Sequence, residues 1–197
     1  MSTSPESTSR YHRGNVRQDT LAGARRMLDR MPADKISLRE VAREIGISHA
    51  APYRHFPDRE EFIRALAAYC LTEWTNEQRE GLAKAQTSDA RLLSLGETYV
   101  GWAARNPYAF RLVFDPAIAA TTEPGELRAA MDAHGDLLTS VVGELGAQGR
   151  LPRSGSAHIG LALWSTVHGL AQLVTLGQAD VSAVPGVLDS LTHSWSR

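Results

Sequence analysis

The stretch from Ser37 to Phe56, SLREVAREIGISHAAPYRHF, constrains this chain more than any other. Ser37 has the chemistry of a helix N-cap, and Glu40, three residues on, completes a capping box. Leu38, Val41, Ala42 and Ile45 then fall at i, i+3, i+4 and i+7, which puts one narrow apolar stripe on the helix they define. Gly46 stops that helix, because glycine tolerates the left-handed backbone of a C-terminal cap. Ile47 buries the turn, and Ser48 caps a second short helix, expected over His49 to His55. Neither helix is long enough to stand alone in water, so both must pack on neighbours. Two short helices about a tight glycine turn make a helix-turn-helix, the arrangement that presents its second helix to the major groove of DNA.

The residues before this stretch supply what it packs on. Residues 1–9 are rich in Ser and Thr and read as a disordered tail. Arg10, His12 and Arg13 form a short basic arm suited to phosphates or a minor groove. Asn15 caps a helix expected to run to about Met31, with Val16, Leu21, Ala24, Met27 and Leu28 as its apolar positions. Pro32 ends it. Pro52 breaks a local rule, since it stands at the fourth position of the second helix and forfeits a backbone donor there. In the first turn that loss is smaller than mid-helix, and it can set the angle at which Ser48, His49 and Tyr53 are presented.

Charge is distributed to match. The segment from Arg10 to Arg59 holds eleven basic residues against six acidic ones, while the whole chain is −1. A basic head on an acidic body suits a head that touches phosphates and a body that repels them. No apolar run is long enough to span a membrane, and the N-terminus lacks the apolar core of a signal peptide. Cys70 is the single cysteine, so neither a disulfide framework nor a cysteine zinc site is expected. The expected location is the cytoplasm.

From Arg59 onward the periodicity is helical throughout, so the chain reads as all-α. Asp58 caps a long helix from Arg59 to about Ala85, with Phe62, Leu66, Tyr69 and Cys70 as its buried stripe. Further helices are expected over Asp89–Ala104, Tyr108–Phe114, Leu127–Leu145, His158–Gln178 and Ser182–Trp195, with a loop at 115–123. The helix from His158 is apolar or small at nearly every position, so it is buried on more than one side. It and the last helix have apolar faces to spare, which points to a homodimer formed by a four-helix bundle of the last two helices of each copy. The expected division is a tail at 1–9, a helix-turn-helix DNA-binding domain at 10–58, and a helical effector-binding and dimerisation domain at 59–197.

Tyr99, Trp102, Tyr108, Phe110, Phe114, Met131, Trp164 and His168 offer aromatic and adaptable lining for an apolar small-molecule pocket; plain hydrophobic core is the competing reading for each. His168 stands mid-helix among apolar neighbours, so its ring nitrogens need partners, either within the protein or on a ligand. No HExxH pair or cysteine partner supports a metal, and no nucleophile elbow, phosphate loop or dinucleotide fingerprint supports catalysis or a cofactor. Cys70 reads as inert core.

The stretch ISHAAPYRHFPDREEF resembles the recognition-helix signature of the tetracycline repressor (TetR) family of bacterial regulators. YHRGNVRQDTLAGARRML is similar to that family's arm and first helix, and WSTVHGLAQL resembles its Trp-His-Gly ligand-domain subgroup. The resemblance implies that Ser37, Tyr53 and His55 contact backbone phosphates. The residue opening the long helix does the same as a lysine in most of the family; here it is Arg59, which keeps the charge and changes the geometry. His49 and Ala50 are then placed to meet base edges, with Ser48 beside them and Arg39 flanking. For Tyr53 core packing remains an open alternative, and for Phe56 it is the preferred reading. The function implied is a ligand-responsive regulator of transcription, a repressor released from a near-palindromic double-stranded operator by a small apolar effector. The alternative is a helical small-molecule-binding or catalytic protein with a vestigial head.

Overall fold

In the computed structural model, which describes residues 15–120, 124–151 and 156–192, Asn15 opens the first helix as its sequence predicts. Its side chain accepts from the Gln18 amide, and α1 runs over Val16–Met27. Residues 28–31, expected to continue the helix, form tight turns instead, closed by bonds such as Arg30 N–H to Met27 O at 3.0 Å. The tail and the arm residues Arg10, His12 and Arg13 lie outside the described residues, as does Trp195.

α2 spans Leu38–Glu44 with both halves of the capping box formed. The Glu40 amide donates to Ser37 Oγ at 3.2 Å, and the Ser37 amide donates to Glu40 Oε2 at 3.1 Å. Gly46 adopts φ +71°, the left-handed turn that a side chain would strain. α1 and α2 cross closely at Gly23, where a Cβ would stand 2.5 Å from Ile45 Cγ2. Leu21, Ala24, Leu38 and Val41 fill the contact.

The second helix of the motif differs from expectation. Residues after Ser48 form a turn, closed by the Ala51 amide on the Ser48 carbonyl at 3.0 Å, and then a single 3-10 turn over Pro52–Arg54. Pro52 is the reason. It has no N–H to give the Ser48 carbonyl, and its ring crowds that position, so an α-ladder cannot run from 48 through 52. Phe56, fully buried, then locks the end of the motif edge-on against Phe62, ring centres 5.4 Å apart.

Asp58 accepts from the Glu61 amide at 2.7 Å and opens α3, Arg59–Lys84. α4 (Ser88–Arg105), α5 (Pro107–Val113), a one-turn α6 (Pro116–Ala119) inside the expected loop, and α7 (Glu126–Ala147) follow. α8 covers Ser156–Thr175, and a 3-10 turn at Val181–Ala183 leads into α9, Val184–Thr192. Every regular element among the described residues is helical, giving an all-α fold of an N-terminal helix-turn-helix unit and a helical C-terminal domain. None of the described helices is long and apolar enough to cross a membrane.

α3 is the spine. It packs on α1 at its start, and on α4, α5 and α7 further along, while α4 carries α8 and α9. Its centre is Trp74, fully buried and stacked on Trp102 at 4.4 Å with the planes 9° apart. Phe110 and Phe114 meet Trp74 edge-on. Truncation of Trp74 to alanine is expected to cost about 3–5 kcal/mol, the usual scale for a large buried aromatic. Ser37→Ala, which opens the capping box, is expected to cost about 1 kcal/mol. Urea unfolding of both variants checks the ranking.

Candidate nucleic-acid interface and ligand cavity

The short motif α2–turn–3-10 and the start of α3 leave most of the residues expected to meet DNA exposed. Arg39, Ser48, His49, Ala50, Tyr53, His55 and Arg59 are exposed, and Ser37 is half-buried under its capping box. Ser37, Arg39, Glu40, Arg43 and His49 border one shallow groove. Arg43 is the addition: it lies one helical turn after Arg39, a spacing that would have marked it. No ion pair among the described residues engages Arg39, Arg43 or Arg54. Elsewhere in the head Arg30 pairs with Glu44 and Arg25 with both Asp29 and Glu73, while Arg26 makes no ion pair among the described residues. Glu40, the carboxylate nearest the groove, is committed to Ser37. Tyr53 is 55% exposed, which leaves its ring available to a partner. Arg59 donates to the Ala33 carbonyl at 3.1 Å, so one of its donors is spent holding the turn before α2.

Head and body are joined by more than α3. Arg25 on α1 reaches Glu73 on α3 at 2.7 Å and also bonds Asn106 at the α4–α5 corner. Asn106 in turn donates to the Trp102 carbonyl at 2.9 Å.

In the body, a cavity of about 200 Å³ opens between α3, α4, α7, α8 and α9. Leu92, Leu95, Leu138, Leu163, Val167 and Leu188 supply its apolar walls, and Gln78, Tyr99, His134 and Trp164 also line it. Of the residues expected to bind a ligand, Tyr99 and Trp164 are cavity walls. Trp102, Phe110, Phe114, Met131 and His168 are not. Trp102 and Phe110 are spent in the Trp74 stack, and Met131 packs half-buried on the core. His168 stands behind Tyr99, its Nδ1 3.0 Å from the Tyr99 hydroxyl, its Nε2 3.4 Å from Gln172 Nε2, and its ring against Phe114. Both ring nitrogens therefore have neighbours within the protein.

Two cavity residues, Gln78 and His134, escaped the sequence reading. Gln78 is 2% exposed; its Nε2 donates to the Leu95 carbonyl at 3.5 Å, the limit of a hydrogen bond, and its Oε1 is buried without a partner. His134 Nδ1 lies 3.1 Å from Thr75 Oγ1, and that hydroxyl donates to the Leu71 carbonyl at 2.7 Å. Burial pushes the His134 imidazole down to about 4, so it is neutral near neutrality, and burial lowers His168 as well. Burial holds the Tyr99 phenol above its ordinary value against a smaller effect of Trp164. It also pushes the Cys70 thiol up to about 12, which keeps it a protonated core side chain. Among the described residues no group of three or more His, Cys, Asp or Glu is placed to hold a metal.

Two family models match the chain. One, described as bacterial regulatory proteins of the tetR family, covers residues 21–66. The other, described as the tetracyclin repressor-like C-terminal domain, covers residues 92–193. The chain is similar to the nucleoid occlusion factor SlmA of Marinomonas sp. (strain MWYL1), 27% identical over 107 residues and 54% of each chain. It is also similar to SlmA of Alteromonas mediterranea, 30% identical over 111 residues and 53% of each chain. The chain thus spans about half the length of the curated relatives it matches. Among solved structures, a protein of unknown function from Rhodococcus sp. RHA1 is 31% identical, with 95% of this chain and 97% of that one covered and a TM-score of 0.81. FadR from Bacillus subtilis, solved with stearoyl-CoA, shares the fold at 12% identity, with 89% of this chain and 97% of that one covered and a TM-score of 0.71.

The depressed His134 value has a consequence for stability. Between about pH 6.5 and 4 the unfolded chain takes up a proton on this residue that the folded protein refuses, so acid uptake favours unfolding. The stability is present above that window and is lost as pH falls through it, by up to about 3 kcal/mol. His134→Gln is expected to lose less stability on acidification than the parent. Urea midpoints of the two proteins, compared at neutral pH and again at about pH 5, check it.

Proposed function

Because the chain belongs to the TetR family of bacterial regulators, its C-terminal family match alone covering residues 92–193, we propose that it is a dimeric, ligand-responsive repressor of transcription acting in the cytoplasm. The observation that carries the DNA half of this reading is the set of unpaired guanidiniums, Arg39, Arg43 and Arg54, around an exposed turn bearing Ser48, His49 and Ala50. His49 and Ala50, with Ser48, read base edges. Ser37, Tyr53, His55 and Arg59 hold phosphates, and Arg10 and Arg13 extend the grip as an arm. Phosphate contacts set position and the few groove-facing groups set sequence. Base readout from a turn and one 3-10 turn, in place of a regular helix, limits the number of side chains that can enter the groove.

The homodimer forms through α8 and α9. Leu161, Trp164 and Leu173 on α8 are large apolar side chains left exposed in the single chain, which supports that assignment. Trp164, His168 and Gly169 on α8 also support placing the chain in the Trp-His-Gly subgroup. Two heads on a two-fold axis then meet successive major grooves of a near-palindromic operator. The effector enters the body cavity between Tyr99 and Trp164, with Trp102, Phe110, Phe114, Met131 and His168 bracing those walls. The functional division falls at Asp58, a DNA-binding unit at 10–58 and an effector-binding and dimerisation unit at 59–197, with α3 transmitting between them. Effector and operator then oppose each other, and each weakens the other's binding by the same factor.

Selection of bound duplexes from a random library at two salt concentrations tests the reading. A single near-palindromic sequence is expected, lost with His49→Ala. Replacing Arg43 by Gln should weaken binding to all sequences alike and lower the salt slope by about 1. Weak binding that is blind to sequence would contradict the regulator.

A further inference from the structure

The cavity is apolar except at a few atoms, and those atoms have an unequal appetite for hydrogen bonds. Tyr99 is already engaged by His168. Gln78 is fixed in orientation because its Nε2 faces a carbonyl, which needs a donor, so the amide oxygen is the atom left without a partner. That bond is long at 3.5 Å, and the terminal torsion of a glutamine is broad and soft. Because the side chain lines the cavity, this oxygen is an acceptor there that lacks a donor. His134 is fixed by a similar argument. The Thr75 hydroxyl has one proton, and it goes to the Leu71 carbonyl at 2.7 Å. The hydroxyl oxygen therefore accepts from His134, Nδ1 carries the ring proton, and Nε2 keeps a lone pair that no described residue engages. The indole N–H of the Trp164 wall is engaged with the Tyr99 hydroxyl, so the two polar atoms left to spare at the cavity are acceptors.

The remaining lining adds two exclusions. It contains no Lys or Arg, and His134 is held neutral by burial, so nothing balances an anion. The space is also small: about 200 Å³, where an apolar cavity of roughly 150 Å³ takes benzene. That suits one ring with short substituents, roughly ten non-hydrogen atoms.

We propose that this cavity takes a compact, neutral, largely apolar molecule that donates one hydrogen bond, a phenol or an alcohol, to Gln78 Oε1 or His134 Nε2. The proposal rests on the reading of the body as an effector domain and narrows its chemistry. An apolar molecule with no donor would fill the volume and leave both acceptors unsatisfied. A carboxylate would set a third acceptor against them.

Isothermal titration of the full chain with para-propylphenol, its methyl ether para-propylanisole, and para-propylbenzoate separates these cases. The phenol is expected to bind about tenfold or more tighter than the ether, in which a methyl group replaces the donated proton, and the benzoate is expected to show no binding. Either His134→Phe or Gln78→Leu should bring phenol and ether within about threefold of each other while the ether's affinity is kept, and a preference that survives both would overturn the proposal. Gln78→Met is the substitute if Gln78→Leu does not fold, and the order of the three compounds on the unaltered protein decides the matter if no variant folds. Equal binding of phenol and ether, preference for the benzoate, or no binding by any of the three would overturn the proposal. The heat is read in the absence of DNA, so such a failure leaves operator recognition standing. A phenol that binds as expected and leaves operator affinity unchanged would uphold this site and count against the effector mechanism alone.

Discussion

Everything in this molecule hangs on the burial of Trp74. Its indole lies against Trp102 with the planes nearly parallel, and Tyr99, Phe110, Phe114 and His134 close around it. Four helices, α3, α4, α5 and α7, are held together through that one side chain. Aromatic contacts of this kind add to the area they bury because edges and faces carry opposite partial charge. The arrangement has a cost as well, since the indole N–H is buried with no acceptor. Large burial outweighs one unmade hydrogen bond.

The same helix that carries Trp74 connects the two surfaces of interest. At its start Phe62 seats Phe56, and with it the exposed turn of the helix-turn-helix. One turn before Trp74, Tyr69 and Cys70 lie within reach of the Arg25 charge on α1, and just beyond it Thr75 holds His134 and Gln78 lines the cavity. In the proposed mechanism this packed helix would carry a shift of α3 at the cavity to the head. The bridge from Arg25 to Glu73 and to Asn106 supplies a second tie, from α1 to the corner where α4 ends. Under the proposed function, a molecule between α3, α4 and α8 would have these two connections through which to act on the head.

Much of this was legible in the sequence, because local rules decide it. The Ser37–Glu40 capping box, the left-handed Gly46, the Asp58 cap and the buried Phe56 follow from side-chain chemistry within a few residues of each other. Two features depend on more than local pattern. The spacing predicts a second helix through Pro52, and the proline leaves a turn and one 3-10 turn in its place. The aromatic residues fit pocket lining or plain core by sequence, and Trp102, Phe110 and Phe114 pack on Trp74, a residue whose central place no local pattern announces. Gln78 and His134 could not be found by periodicity, because a polar residue on an amphipathic helix reads as surface until the partner helices are in place. Their burial is a property of how α3 and α7 pack, and it shows only in three dimensions.

In the proposed function, the exposed turn between α2 and α3 is where this protein meets DNA. Amide hydrogen exchange on the full chain, with and without the duplex recovered by selection, tests it most directly. Slowed exchange concentrated between Ser37 and Phe56, with the cavity-lining parts of α4 and α8 unchanged or loosened, is the predicted result. Protection confined to the body, with residues 37–56 exchanging as fast as in the unbound protein, would contradict the account.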